Sequence, residues 1–158
     1  MAESSKWVLM AYRLPREPST PRISVWRKLR QLGAEQLVDG LVALPLSSRN
    51  REQFDWLAQE VVEAAGEASI WISTAGNAAQ DRELKRSMLQ RAAAEYRDLT
   101  AAARAARSGD AVARRRALIR LRRELRRLVA RDYFAAPERT IAEAAIERLA
   151  PTAVETTS

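Results

Sequence analysis

The sequence contains no cysteine and no histidine among its 158 residues. The absence of cysteine excludes disulfide bonds, thiolate-ligated zinc and a thiol nucleophile. The absence of histidine excludes a Ser-His-Asp triad and the commonest side-chain metal ligand. We therefore predict that the protein is not an enzyme, holds no metal and uses no cofactor.

Long apolar runs are also missing. The apolar run from Trp7 to Tyr12 is too short for a signal peptide, and Arg13 follows it directly. No stretch approaches the roughly 18 apolar residues that a membrane span needs. We therefore expect a cytoplasmic protein with no membrane partner.

Basic residues are plentiful and unevenly placed. The chain has 27 Lys and Arg against 20 Asp and Glu, a net charge of +7. Residues 1–33 carry a surplus of five positive charges, residues 34–74 a deficit of five, and residues 114–158 hold eleven basic and six acidic groups. Concentrated charge of this kind steers polyanions, so the distribution favours an anionic partner.

The first half shows the turn and cap residues of an alternating α and β pattern. Ser19 or Thr20 can cap a helix that begins near Pro21, and Gly33 can end it. Asp39-Gly40 between two apolar runs predicts a β-hairpin, and Gly66 is expected to end a second helix. The expected elements are strand 6–14, helix 21–32, strands 34–38 and 41–46, helix 50–65 and strand 68–74.

This order, strand-helix-strand-strand-helix-strand, predicts an α+β fold with a ferredoxin-like βαββαβ core. It implies a four-stranded antiparallel sheet with both helices on one face. Large aromatics dominate the cores of small domains, so we expect most of the four tryptophans to be buried. One of them exposed on the sheet would suit stacking on a nucleic-acid base.

The second half predicts helices. From Leu89 to Ala106, apolar or small residues recur at heptad spacing, and the same spacing resumes at Leu118 after Ser108-Gly109-Asp110. We expect an antiparallel helical hairpin and a short C-terminal helix over residues 140–149. The predicted organisation is a core over residues 1–76, a helical extension packed on it over 77–150, and a flexible tail over 151–158.

Several segments resemble one known family, the N-terminal domain of bacterial chromate-resistance regulators of the ChrB type. The segments that carry the resemblance are 12–22 with 25–29, 36–45, 56–58, 63–64 and 66–68, and, more loosely, 94–96 and 131–134. The resemblance implies a chromate-responsive transcriptional regulator. Members commonly carry a second, C-terminal domain, which would be a partner of this one.

An arginine-rich helix is the strongest binding candidate. Nine arginines and a single acid, Glu124, lie between residues 114 and 131, and all but Arg114 fall opposite the leucines. A basic face opposite an apolar seam suits phosphate contacts along DNA, although a solvated face with some arginines paired to a neighbouring helix has the same pattern. The predicted nucleic-acid-binding residues are Arg115, Arg116, Arg120, Arg122, Arg123, Arg126 and Arg127.

The loop before the first helix is a candidate oxyanion site. Guanidinium groups, hydroxyls and the amide groups of a helix N-terminus can converge on a tetrahedral anion such as chromate. The same groups suit a DNA phosphate, and a simple capped helix with solvent-facing arginines is the alternative. The candidate residues are Arg13, Arg16, Ser19, Thr20 and Arg22.

Two functional hypotheses follow. The first is a chromate-responsive, DNA-binding transcriptional regulator of chromate resistance. The second is a non-enzymatic interaction module, in which the heptads mediate a homodimer or docking to a separate partner domain.

Overall fold

The computed structural model describes residues 5–152. Within them, four strands and five helices follow one another in an order that begins as the sequence predicts, so the expected α+β class is confirmed. The elements are β1 (Lys6–Arg13), α1 (Thr20–Leu32), β2 (Glu35–Val38), β3 (Leu41–Pro45), α2 (Ser48–Glu63), β4 (Glu67–Thr74), α3 (Ala78–Ala106), α4 (Ala111–Arg131) and α5 (Glu138–Glu147).

The four strands form one antiparallel sheet in the order β2-β3-β1-β4. β1 lies inside the sheet, where Val8 is opposite Leu44 of β3 on one side and Ile72 of β4 on the other. Asp39-Gly40 turns the chain between β2 and β3, as the sequence predicts. Gly40 has a φ of 79°, a conformation that L side chains rarely adopt.

The sheet is apolar on the face that meets the helices. Val8 and Met10 alternate with their neighbours along β1 and are fully buried, as a period of two requires. α2 packs against β1 and β4 through this face, and α1 packs against α2. Phe54 and Val61 of α2 are likewise fully buried. This core holds the sheet in a fixed register.

Two helix ends differ from the prediction. Ser19 occupies the cap position of α1, but its side chain makes no capping hydrogen bond. α2 ends at Glu63 with Ala64 as its cap, and the residue in the left-handed conformation is Ala65, with a φ of 66°, not Gly66. Gly66 is required for another reason, because a Cβ there would lie 2.4 Å from the backbone oxygen of Arg13.

The expectation that most tryptophans are buried is wrong. Trp7 is 2% exposed, whereas Trp26, Trp56 and Trp71 are 53%, 63% and 60% exposed. The helical positions that face the core in α1 and α2 are filled by smaller residues, which leaves Trp26 and Trp56 outside. Trp26 lies under the Arg30 guanidinium, 4.8 Å from ring centroid to Cζ.

The chain divides into two compact units, Met1–Ser87 and Met88–Ser158, and α3 runs across the boundary. α3 begins at Ala78, well before the heptad pattern that starts at Leu89. At its first turn, the backbone amide of Gln80 donates to Asn77 Oδ1 over 2.8 Å. The predicted packing of the helical extension on the core stays a prediction. Residues 153–158 of the predicted tail lie outside the described residues.

The second unit has its own apolar core. It combines Tyr96 and Leu99 of α3, Leu121 and Leu128 of α4, and Ile146 of α5. The Tyr96 hydroxyl donates to Asp132 Oδ2 over 3.0 Å, just past the end of α4. Residues 5–152 contain no helix of the length and apolarity that a membrane crossing requires.

Candidate nucleic-acid interface

α4 carries the arginines on a well-defined helix. Asp110 caps its first turn, since the side chain accepts from the Ala113 amide over 2.8 Å. Leu118, Leu121 and Leu128 are buried on one side. The arginines other than Arg114 lie away from this side, as their spacing at 100° per residue predicts.

Some of the predicted arginines are already paired. Arg122 donates to both carboxylate oxygens of Glu147 on α5, from Nε over 2.9 Å and from Nη2 over 2.7 Å. This bidentate pair lowers the pKa of Glu147, chiefly through the hydrogen bond from Arg122, and raises the pKa of Arg122. Arg120 lies 3.9 Å from Glu124 within α4. These two arginines are partly neutralised.

Two further arginines at the ends of α4 have structural contacts. Arg131 donates to Glu95 of α3, and Arg114 Nη1 donates to the carbonyl oxygen of Gly109 over 2.9 Å. Neither was among the residues predicted to bind nucleic acid. Arg131 links α4 to α3, whereas Arg114 links α4 to the turn that precedes it.

Five arginines form a separate cluster, which we call the arginine face. All five are exposed, and none of their guanidinium groups has a hydrogen bond or ion pair within residues 5–152. They span about 18 Å along the helix axis and an arc of about 120° around it. The arginine face consists of Arg115, Arg116, Arg123, Arg126 and Arg127.

The charge of the chain is concentrated in the second unit. Residues 88–158 contain fifteen arginines against nine acidic residues, whereas residues 1–87 hold twelve basic and eleven acidic residues. Nearly all of the net charge of +7 therefore belongs to the unit that contains the arginine face. A local field of this sign attracts polyanions.

The predicted oxyanion residues lie along one exposed segment. Arg13 ends β1, Arg16 lies in the following loop, and Ser19, Thr20 and Arg22 begin α1. All five side chains are exposed, and no hydrogen bond joins any of these described residues to another. The convergence of these groups on an anion stays a prediction.

Arg22 has one identified electrostatic neighbour. Burial raises the pKa of the Tyr12 phenol, and the charge of Arg22 partly opposes this effect. Asp39, at the hairpin turn, raises the same pKa. Arg22 is therefore close to the end of β1, where Arg13 also lies.

Sequence reasoning could not distinguish paired from unpaired arginines on α4. The partner of Arg122 is 25 residues away, on a different helix. The spacing of the arginines shows which side of the helix they occupy, but the acid that reaches them depends on how α5 packs. The alternative of arginines paired to a neighbouring helix therefore holds for Arg122, while the arginine face remains available to a ligand.

By fold the chain is an α+β protein whose helical second unit is strongly basic. Residues 22–108 match a family model described as "Protein ChrB, N-terminal". The match spans more than half of the chain, and the protein therefore belongs to the ChrB N-terminal family. Neither the curated proteins nor the solved structures that were searched gave a match.

The family match confirms the resemblance found in the sequence, but it covers only residues 22–108. It starts in α1, at Arg22, and ends at Ser108, just after α3. α4 follows the matched range. The arginine face therefore has to be interpreted from its own geometry and charge.

Proposed function

We propose that this protein is a DNA-binding transcriptional regulator of chromate resistance that acts without enzymatic chemistry. Membership of the ChrB N-terminal family supports the link to chromate resistance. The lack of His and Cys supports a non-enzymatic role. Because the proposed partner is DNA, the proposal also places the protein in the cytoplasm.

The single observation that carries the DNA-binding proposal is the arginine face. Five exposed guanidinium groups without acidic partners in the described chain lie along about 18 Å of one helix. Arginine presents a planar set of donors that matches phosphate oxygens in pairs. Contacts of this type fix a protein on the DNA backbone and carry no base sequence information.

A salt titration tests the proposal. Five phosphate contacts predict that log K for a DNA duplex falls with log salt concentration with a slope of about −4.5. Arg123→Gln and Arg126→Gln should each make this slope shallower by about 0.9, because each removes one contact. The measurement is a fluorescence anisotropy titration at several salt concentrations.

The matched control is Arg51→Gln. Arg51 is an exposed arginine on α2, in the first unit, and its substitution changes the net charge by the same amount. We expect it to leave the slope unchanged. Equal effects of Arg51→Gln and Arg123→Gln would mean that net charge, not the arginine face, attracts the duplex, and no binding at low salt would contradict DNA binding altogether.

The chromate-sensing part of the proposal rests on the segment from Arg13 to Arg22. Its exposed arginines and hydroxyls suit a tetrahedral dianion, because charge-assisted hydrogen bonds favour such anions. We expect calorimetry to detect chromate binding that sulfate competes for and that Arg16→Ala weakens. Arg49→Ala, on α2, is the control for loss of one charge. Chromate binding that Arg16→Ala leaves unchanged would move the sensor elsewhere.

We also assign the β1-α1-β2-β3-α2-β4 core to the ferredoxin-like class. The element order and the antiparallel order β2-β3-β1-β4 support this assignment. In this proposal the core carries the chromate-responsive segment, while the helical unit carries the arginine face.

A second candidate function is homodimerisation. Val112 and Ile119, one heptad apart on α4, are 61% and 52% exposed. Apolar residues at this spacing form the seam of helix pairs. Sedimentation over a concentration series tests this function, and a protein that remains monomeric at its highest soluble concentration would rule it out.

A further inference from the structure

The strand β4 forms one edge of the sheet, and within residues 5–152 no strand lies on its outer side. It pairs with β1 alone, in a register that continues without a shift along the whole strand. None of its eight residues is buried, and Trp71 and Ile72 are 60% and 48% exposed. A free edge of this kind offers a row of backbone donors and acceptors to another strand.

The features that usually protect a strand edge are missing from β4. The opposite edge, β2, has only four residues and a register shift between Gln36 and Val38, and short or irregular strands are poor templates for a further chain. β4 has eight residues and contains no proline, lysine or arginine. Its single charged residue, Glu67, is at its first position. β4 is therefore the edge that is open to a partner.

The hydrogen bonds of β1 show which of its residues bond to each neighbouring strand. On the side of β3, the Tyr12 amide donates to the Gly40 carbonyl oxygen over 2.8 Å, and the Lys6 carbonyl oxygen accepts from the Leu46 amide over 3.0 Å. Even-numbered residues of β1 therefore bond toward β3. Because consecutive residues of an antiparallel strand direct their backbone groups to opposite sides, the odd-numbered residues of β1 bond to β4.

This pattern identifies the backbone groups on the outer side of β4. Leu9 lies opposite Trp71, and as an odd-numbered residue it exchanges its hydrogen bonds with Trp71. The backbone groups of the neighbouring residues, Ile70 and Ile72, therefore point to the free edge. Side chains alternate too, so Trp71 lies on the same face of the sheet as Leu9, whereas the two isoleucines lie on the face that meets the helices.

Two copies of this edge fit each other in an antiparallel register. Hydrogen bonding requires that even-numbered residues face even-numbered residues across the contact. Among the registers that meet this condition, the one centred on Trp71 pairs the large apolar residues with one another. Trp71 lies opposite Trp71 of the second copy, and Ile70 lies opposite its Ile72. Glu67 then lies opposite Ala75, so no like charges meet.

We propose that β4 pairs with β4 of a second copy of this chain, which joins the two four-stranded sheets across a two-fold axis. Each pair of Ile70 with Ile72 exchanges two backbone hydrogen bonds, and the two Trp71 rings form a close cross-strand aromatic pair. The contact is independent of the proposed function, because the arginine face and the exposed pair Val112 and Ile119 belong to the second unit.

Opposite charges at position 71 test the two-fold register. Because this residue faces itself, Trp71→Lys and Trp71→Glu each place like charges opposite one another. We expect sedimentation velocity of the full chain to show a wild-type dimer, a dissociation constant at least about tenfold higher for either variant alone, and recovery of the dimer in an equal mixture of the two. Recovery in the mixture also shows that both variants are folded.

Two control variants distinguish this contact from others. Trp56→Lys changes an equally exposed tryptophan on α2 and should leave the dissociation constant unchanged. Val112→Lys, on α4, should also leave it unchanged, and a dimer lost only in Val112→Lys would place the contact on α4 and overturn the proposal. A wild-type chain that stays monomeric at its highest soluble concentration, or a mixture without recovery, would overturn it as well.

A single introduced cysteine locates the contact directly. The chain has no cysteine, so a disulfide in a single-cysteine variant must join two copies. Trp71→Cys places two Cα atoms about 4.5 Å apart, as in a non-hydrogen-bonded antiparallel pair, which a disulfide can span. Ser69→Cys is the control, since Ser69 is exposed on the same face but lies opposite Ser73. We expect mild oxidation to cross-link Trp71→Cys much more than Ser69→Cys, and equal cross-linking of the two would contradict the register.

Discussion

Asp81 is one of three polar side chains that are buried within residues 5–152, together with Asn50 and Thr100. Its Oδ1 accepts from the Trp7 indole, and its Oδ2 lies 3.0 Å from Lys85 Nζ. The Trp7 hydrogen bond is the largest cause that holds the pKa of Asp81 below its ordinary value of 3.8, and Lys85 adds to it against the effect of burial. The carboxylate therefore ties α3 to β1 in its ionised form.

This lowered pKa predicts a pH dependence of stability. A carboxylate whose folded pKa is lowered contributes stability that is complete above its unfolded pKa, near 4, and is lost as the pH falls through the folded value. We expect Asp81→Asn to lower the free energy of unfolding at pH 7 by about 1 kcal/mol. Urea denaturation should show this difference shrinking below about pH 4.

Asp55→Asn is the control for this prediction, since Asp55 is exposed on α2. We expect the effect of Asp55→Asn on the free energy of unfolding to be small at both pH 7 and pH 3. A loss in Asp81→Asn that is the same at pH 7 and pH 3 would show that packing, not charge, makes the contribution.

Positions 65 and 66 show what sequence can predict about a single turn. The sequence indicated the end of α2 correctly to within a few residues, because glycine is enriched there. The left-handed residue is nevertheless Ala65, one position earlier. Gly66 is fixed by the approach of the Arg13 backbone on β1, a contact that only the folded sheet creates.

At the scale of elements, two serines precede helices in different ways. The Ser47 hydroxyl accepts from the Asn50 amide over 3.0 Å at the start of α2, whereas Ser19 makes no such bond at the start of α1. The same substitution at both sites therefore isolates the capping hydrogen bond.

We expect Ser47→Ala to lower the free energy of unfolding by about 1 kcal/mol, because it leaves a helix amide without its partner. Ser19→Ala should change it by only a few tenths of a kcal/mol, since the native hydroxyl caps nothing. Thermal or urea unfolding of the two variants provides the measurement. Equal losses would mean that Ser19 also caps α1 in solution.

Local signals explain why most elements could be predicted. Gly33 ends α1 with a φ of 74°, and Asp39-Gly40 joins β2 to β3. These features depend on a few adjacent residues. The burial of the tryptophans was predicted wrongly because it does not depend on adjacent residues. Trp26 and Trp71 are exposed because other residues of the same helix or strand face the core.

At the scale of the whole molecule, the two units differ strongly in net charge. Residues 88–158 have six more basic than acidic groups, and residues 1–87 have one more. The surplus could be read from the sequence, and so could the side of α4 on which it lies. The pairing of Arg122 with Glu147 could not, because it depends on the packing of α5 against α4.

The composition of the arginine face predicts that duplex binding is nearly independent of pH. Guanidinium groups stay protonated throughout the ordinary pH range, carboxylates are ionised above about pH 6, and the chain has no histidine. We expect the Kd for DNA at fixed salt to change by less than about twofold between pH 6 and pH 9. A tenfold weakening over this range would place a group that titrates between pH 6 and pH 9 in the interface.

The basic residues of the second unit share one further property, which is that all fifteen are arginine. The three lysines, Lys6, Lys28 and Lys85, all belong to the first unit. Enzymatic acetylation removes charge from lysine and not from arginine, so it cannot neutralise the arginine face. For the same reason, amine-reactive dyes and surface-coupling reagents will attach to the first unit or the N-terminus, and leave the face on α4 chemically untouched.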